Sequence, residues 1–285
     1  MARPRSIADA ERALEAADAV VRSPEATPEE LERAAAEARR GFRVAAEAGD
    51  DELAGALALA EGQALAGLGD PGAALPRLEE ALRRLPGDLE VLVERGQALH
   101  ELGRFAEAAR ALDEALRIDP DDAWALHAAG LAAEHLGRGR DAERMLARAR
   151  ELEPESFPPP VSLSPEAFEA AVEEALERLP EPVRRYLSNV AISVEDLPSA
   201  EELRGSDPPL SPSILGIFRG APLPQKASMD PWSHFPSSIA LFQRNLERYA
   251  RDPEELAREI EVTLLHEVGH FLGLDEEQLR DLGLD

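Results

Sequence analysis

Cysteine is missing from the chain, which excludes a disulfide framework and any zinc site built on thiolates. Aromatic residues are scarce, at 4 %, although 44 % of the 285 residues are hydrophobic. Alanine supplies much of that apolar total, so the core must come from closely packed helices rather than large side chains. No apolar run is long enough to span a membrane, and no apolar stretch of the secretory-signal kind follows the basic start at Arg3 and Arg5. Positive charge is also short: 57 acids face 31 bases, a net charge of −26, and Lys226 is the one lysine. That balance argues against nucleic acid, whose phosphates need clustered Lys and Arg, and against anionic membrane surfaces. The expectation is a soluble cytoplasmic protein, long enough for two domains, with its acidity serving solubility.

What is present first is a period. Residues 6–22 and 28–48 read as two alanine-rich helices, the second started by Thr27-Pro28-Glu29-Glu30. From there the chain repeats every 34 residues: Gly62, Gly96 and Gly130; Leu68, Leu102 and Leu136; Ala74, Ala108 and Ala142; Ala81, Ala115 and Ala149; Pro86, Pro120 and Pro154. Small residues let helices cross closely, and each proline ends a unit. The pattern resembles the tetratricopeptide repeat, a helix-turn-helix unit of this period, over three units at residues 51–154. It implies an all-α superhelix whose concave face is lined by the first helix of each unit. Residues 1–50 are then a cap or a degenerate repeat. The family's groove positions fall on Gln63, Val93, Gln97, His100, Glu101, Trp124, His127, Leu131 and His135, which implies a groove for a protein or peptide partner. His100, His127 and His135 are also a candidate second metal cluster.

Residues 155–163 carry three prolines and read as an extended linker. A new domain, 164–285, opens at Ser164-Pro165-Glu166 with an amphipathic helix over 165–179. Residues 189–195, 213–219 and 238–243 read as strands, with loops at 200–212 and 221–237. The third strand is a candidate free edge for an extended substrate.

The chemistry concentrates near the end, in His266-Glu267-Val268-Gly269-His270-Phe271-Leu272-Gly273-Leu274-Asp275-Glu276. Residues four apart share a helix face, so His266 and His270 can bind one zinc with Glu267 beside them as general base. A helix from Pro253 to Leu272 follows from the Asp252-Pro253 start and the Gly273 stop. A turn at Gly273 could bring an acid to the metal as third ligand, and Glu276 to Leu282 should form a short last helix.

Three strands with a metal helix are the least a zincin needs, and residues 164–285 resemble the bacterial minimal-zincin family of zinc metallopeptidases. The matching pieces are Pro165-Glu166-Ala167-Phe168, Leu176 to Pro180, Asn189 to Asp196, Leu215 to Gly220, Ile239 to Phe242, the motif helix and Leu282-Gly283-Leu284. The resemblance implies a small α+β domain, one Zn2+ per chain on His266, His270 and Glu276, and catalysis of peptide hydrolysis by Glu267. Glu276 stands where the family usually has aspartate, with Asp275 and Glu277 as competitors for that place. Phe271 and Phe218 replace a histidine and a tyrosine common in the family. His234 and Tyr249 are candidates by type for stabilising an oxyanion. The whole chain reads as a multi-domain metallopeptidase with a binding domain. The rival readings are an interaction scaffold with an inactive or structural zincin domain, and a hydrolase of non-peptide amides.

Overall fold

The computed structural model describes residues 6–187, 190–206, 209–224 and 237–281. It divides the chain into two compact units, Met1–Phe157 with Leu203–Ser211, and Pro158–Glu202 with Pro212–Asp285.

Unit 1 is helical: α1 (Ile7–Val21), α2 (Pro28–Ala48), α3 (Asp51–Gly67), α4 (Pro71–Arg84), α5 (Leu89–Glu101), α6 (Phe105–Ile118), α7 (Ala123–His135) and α8 (Gly139–Leu152). Helices α3/α4, α5/α6 and α7/α8 are the three units of the 34-residue period. The reason for the glycines is steric. A methyl group added at Gly62, Gly96 or Gly130 would lie 2.7 Å from Leu78, 2.5 Å from Leu112 or 2.6 Å from Leu146. Those leucines are themselves 34 apart, so each first helix takes the leucine of its own second helix against bare backbone. The helix start at Thr27 is a full capping box, closed in both directions with Glu30.

Unit 2 begins with the proline segment, which is tied down rather than free. Val161 N–H donates to the Glu247 carbonyl at 3.0 Å, and Leu163 N–H to the Glu247 carboxylate at 2.9 Å. After it come α9 (Pro165–Arg178), α10 (Glu181–Leu187), β1 (Val190–Glu195), α11 (Ala200–Gly205, whose residues from Leu203 on belong to unit 1), β2 (Gly216–Arg219), β3 (Ser237–Phe242), α12 (Gln243–Tyr249), α13 (Pro253–Leu272) and α14 (Glu276–Asp281). Three features differ from expectation. Residues 200–205 are helical, not loop. The second strand is shorter and starts at Gly216. The third strand runs straight into α12, whose buried Asn245 donates to the Pro212 and Ile214 carbonyls, both at 2.8 Å. Most of the 221–237 loop lies outside the described residues, as does the Leu282 to Leu284 tail.

The sheet order is β1-β3-β2, with β1 parallel and β2 antiparallel to β3. The third strand is therefore central and paired on both sides, which overturns its reading as a free substrate edge. Its side chains are almost wholly buried, with Ile239 and Leu241 in the core. Leu256, Ile260, Leu264, Val268 and Phe271 of α13 pack into the same core, with Phe168 and Val172 of α9. That spacing is the helical period of one apolar face. It leaves the face that carries His266 and His270 at the margin of the core.

Candidate metal centre

Helix α13 starts at Asp252, whose side chain accepts from Glu255 N–H, and has Pro253 in its first turn. It ends at Gly273, which takes the left-handed conformation with φ of 91°. There the Leu274 and Gly273 N–H groups donate to the Gly269 and His270 carbonyls, both at 3.0 Å. This pairing is a Schellman turn, the common way a glycine reverses a helix end. It lets α14 fold back beside α13.

His266 and His270 emerge one turn apart, with side chains 23 % and 26 % exposed. Their Nε2 atoms lie 3.0 Å apart. The Glu276 carboxylate lies 3.3 Å from His270 Nε2 and 3.8 Å from His266 Nε2. Two ligands on one tetrahedral zinc, at the usual bond lengths of 2.0–2.1 Å, stand about 3.3 Å apart. The three separations bracket that value, so the donor set fits zinc. Two facing imidazole nitrogens beside a carboxylate need a proton or a cation between them, since bare lone pairs repel. His270 Nδ1 lies 3.3 Å from the Leu274 carbonyl. A proton held there leaves Nε2 as the ligand atom, the outer-sphere contact typical of metal-binding histidines.

Among the flanking acids, Asp275 is spoken for. Its Oδ1 accepts from Gln278 N–H at 2.9 Å, and the Gln278 side chain accepts from Asp275 N–H at 3.0 Å. It caps α14, while Glu276 faces the histidines.

Glu267 stands apart from the triad and is only 6 % exposed. Burial pushes its carboxyl up to about 7, against the pull of the His266 charge and of a hydrogen bond from the Phe218 main chain. Glu276 pushes it further in the same direction. Gly216 lets this acid come so near the sheet. A methyl group there would lie 2.8 Å from Thr263, and 3.2 Å from both Glu267 Cγ and the Ala240 carbonyl. Gly216 and Gly269 both shape the site, and neither drew notice in the sequence. Phe218 and Phe271 contact each other, ring centres 5.9 Å apart. His234 lies outside the described residues, and Tyr249 is 60 % exposed at the end of α12.

The expected groove residues divide. Gln97, His100, His127 and Leu131 line a cleft of about 580 Å³ in unit 1, together with Glu94 and Glu101. Gln63 instead donates to Glu90 and Glu94, at 2.9 and 3.0 Å. Trp124 meets Phe157 edge-on at 5.0 Å, and His135 stacks on Phe105 at 3.9 Å. His127 also stacks on Phe157, at 4.3 Å. Among the described residues, His266, His270 and Glu276 are the group whose ligand atoms converge within 4.8 Å. Among the described residues, the ligand atoms of His100, His127 and His135 do not converge into such a group.

Residues 187–284 match the family of zincin-like metallopeptidases. Two tetratricopeptide-repeat family models match residues 59–123 and 99–159. The chain thus joins a tetratricopeptide-like helical region to a zincin-like region with a small sheet. No curated protein matches the chain. Among solved structures, MamA from Desulfovibrio magneticus RS-1 (residue 41 to the end) is 22 % identical at a TM-score of 0.43, covering 54 % of this chain and 79 % of that one. MamA from AMB-1 is 22 % identical at 0.38, covering 59 % and 94 %. YrrB, a TPR protein with an unusual peptide-binding site, is 23 % identical at 0.34, covering 52 % and 88 %. Among the described residues no helix is long and apolar enough to cross a membrane.

Proposed function

We propose that the zincin-like region is a zinc-dependent peptidase, with one zinc per chain on His266, His270 and Glu276 and Glu267 as general base. The observation that carries this reading is the convergence of three ligand atoms within 4.8 Å beside a buried acid that is not one of them. A purely structural site has no need of such an acid. Zinc held by His266, His270 and Glu276 would supply an acidified water, with its pKa brought toward ~7, and would polarise a carbonyl oxygen. Glu267 accepts the proton of the attacking water and hands it to the departing amine. The Phe218 N–H aims its carboxylate for that transfer. The tetratricopeptide-like region supplies a cleft for a protein or peptide, through Gln97, His100, His127 and Leu131.

The test compares the wild-type chain with His266→Ala, His270→Ala and Glu267→Gln. Zinc content is read by elemental analysis and cleavage with an unfolded protein and a peptide library. The expected result is one zinc in the wild type and in Glu267→Gln, and loss of zinc in both histidine variants. Glu267→Gln should cut about 10²- to 10⁴-fold more slowly, the usual contribution of a positioned base. Equal zinc in all four proteins would overturn the ligand set. A zinc-loaded wild type that cleaves nothing in the library would leave a binding scaffold in place of a peptidase.

A further inference from the structure

Two helical stripes shape the cleft of unit 1. On α5, Glu94, Gln97, Ala98 and Glu101 fall at the three- and four-residue spacing of one helix face. On α7, Trp124, His127, Ala128 and Leu131 repeat that spacing. All of these except Trp124 line the cleft, whose lining holds two carboxylates and no lysine or arginine. Trp124 ends the α7 row and is 49 % exposed. We propose that the cleft selects an extended protein segment carrying arginine, whose guanidinium groups pair with Glu94 and Glu101 and stack at Trp124. The proposal rests on the reading of the cleft as a peptide site and names the chemistry of its occupant.

An excess of hydrogen-bond acceptors carries it. Glu94 accepts from the Gln63 amide at 3.0 Å and has no cation beside it among the described residues. Burial raises its carboxyl above the ordinary value, against that hydrogen bond, and Glu90 pushes the same way. Glu101 Oε2 accepts from the Ser211 hydroxyl at 2.8 Å, and Oε1 lies 3.5 Å from His100 Nδ1. Each carboxylate keeps unused lone pairs, since its two oxygens offer about four acceptor sites. His100 also lines the cleft, with its side chain 10 % exposed. Its Nε2 is buried and has no hydrogen-bond partner among the described residues. With the imidazole proton on Nδ1, toward Glu101, Nε2 is one more acceptor without a donor.

Arginine answers this lining better than lysine does. A guanidinium has five donors and no acceptor, and its flat face stacks on aromatic rings. It can therefore serve a carboxylate and an exposed indole in one site. Ala98, Ala128 and Leu131 give its alkyl stem an apolar wall. Glu94 and Glu101 are seven residues apart on α5, about 10 Å by the rise per residue, so two side chains of one segment meet them and not a single one. A volume of about 580 Å³ leaves room for the residues between. The net charge of −26 favours the approach of such a cationic segment from solution.

The test uses the full chain carrying Glu267→Gln, so that captured peptides are not cut, and a bead library of short peptides randomised at every position. Captured peptides are sequenced, remade with a fluorophore and measured by anisotropy. Arginine should be enriched among them. Citrulline in its place, which keeps the shape and drops the charge, should weaken binding about tenfold or more, the size of a lost charge-assisted hydrogen bond. Glu94→Gln combined with Glu101→Gln should do the same, with circular dichroism checking that the helices are kept. Lysine in place of arginine should also bind more weakly. Equal binding by the citrulline or the lysine peptide, or by the doubly substituted chain, overturns the inference. Leu131→Arg, which fills the cleft and brings its own cation, separates the two levels. If it blocks peptides that have no need of arginine, the arginine assignment is wrong and the cleft reading stands. If captured peptides bind it as they bind the parent chain, or if no peptide is captured, both fall.

Discussion

Gly269 and Leu279 touch where α14 folds back on α13: a methyl group at 269 would lie 2.2 Å from Leu279 Cδ2. Leu279 is fully buried, so it has little freedom to move aside. Its place against bare helix backbone brings α14 close, and Glu276 is the first residue of α14. Gly269→Ala should therefore push Glu276 away from His266 and His270 while leaving both histidines where they are. The expected outcome is a 10- to 100-fold loss of zinc affinity, the usual size of an outer-sphere defect. A chelator competition titration measures it. Unchanged affinity in Gly269→Ala would show that the Gly269–Leu279 contact does not position the third ligand.

A second prediction separates the acids at the turn. Asp275 caps α14, and Glu276 faces the histidines. Glu276→Gln should lose most of the zinc affinity. Asp275→Ala should cost about 1 kcal/mol through its lost cap and reduce affinity by no more than about tenfold. The same titration decides it, and the reverse order of effects would move the third ligand to Asp275.

How much of this was legible beforehand varies by element. The Pro253–Leu272 helix and the 34-residue repeats stand in the sequence because their signals are local: Asp252 before Pro253, a glycine after Leu272, small residues at a fixed spacing. Strand order did not, since β3 pairs with β1 in parallel and β2 antiparallel, and no local signal distinguishes a central strand from an edge one. Asp275 and Glu276 look alike as acids after a turn, and only the backbone direction of α14 assigns one to the cap. Gly216 and Gly269 were silent for a related reason. A glycine that admits a neighbour shows its purpose only once Thr263 or Leu279 is placed against it. His127 and His135 carried a metal signal by type, yet their surroundings are aromatic.

The repeats give a third prediction. Gly96→Ala forces a methyl group to within 2.5 Å of Leu112, which has no exposed surface. Overpacking of this kind costs roughly 1–3 kcal/mol. Leu112→Ala alone opens a cavity and costs about 2–5 kcal/mol. Together the two changes should cost less than their sum, because the smaller residue at 112 makes room for the larger one at 96. Urea denaturation of the four proteins of the cycle measures the coupling. Strict additivity would mean that the two side chains do not share the space.

A last prediction concerns acid. Arg219 on β2 donates to both oxygens of Glu195 at the end of β1, at 2.6 and 2.9 Å, and to Glu202 at 2.6 Å. The Arg219 hydrogen bond holds the Glu195 carboxyl below its ordinary value, although partial burial pulls the other way. A carboxylate lowered in the fold stabilises above its unfolded value, near 4.3, and loses that contribution as the pH falls through its folded value. The wild type should therefore lose stability as the pH falls below about 4.3. Arg219→Met should be less stable at pH 6, by no more than about 1 kcal/mol given the partial exposure of the pair. The gap to the wild type should narrow as the pH falls below about 4.3, because the wild type alone gives up the contribution of the lowered Glu195 carboxylate there. Thermal melts of the two proteins from pH 6 to pH 3 measure the gap. A gap that stays constant to pH 3 would place the contribution of Arg219 in its packing and not in its charge.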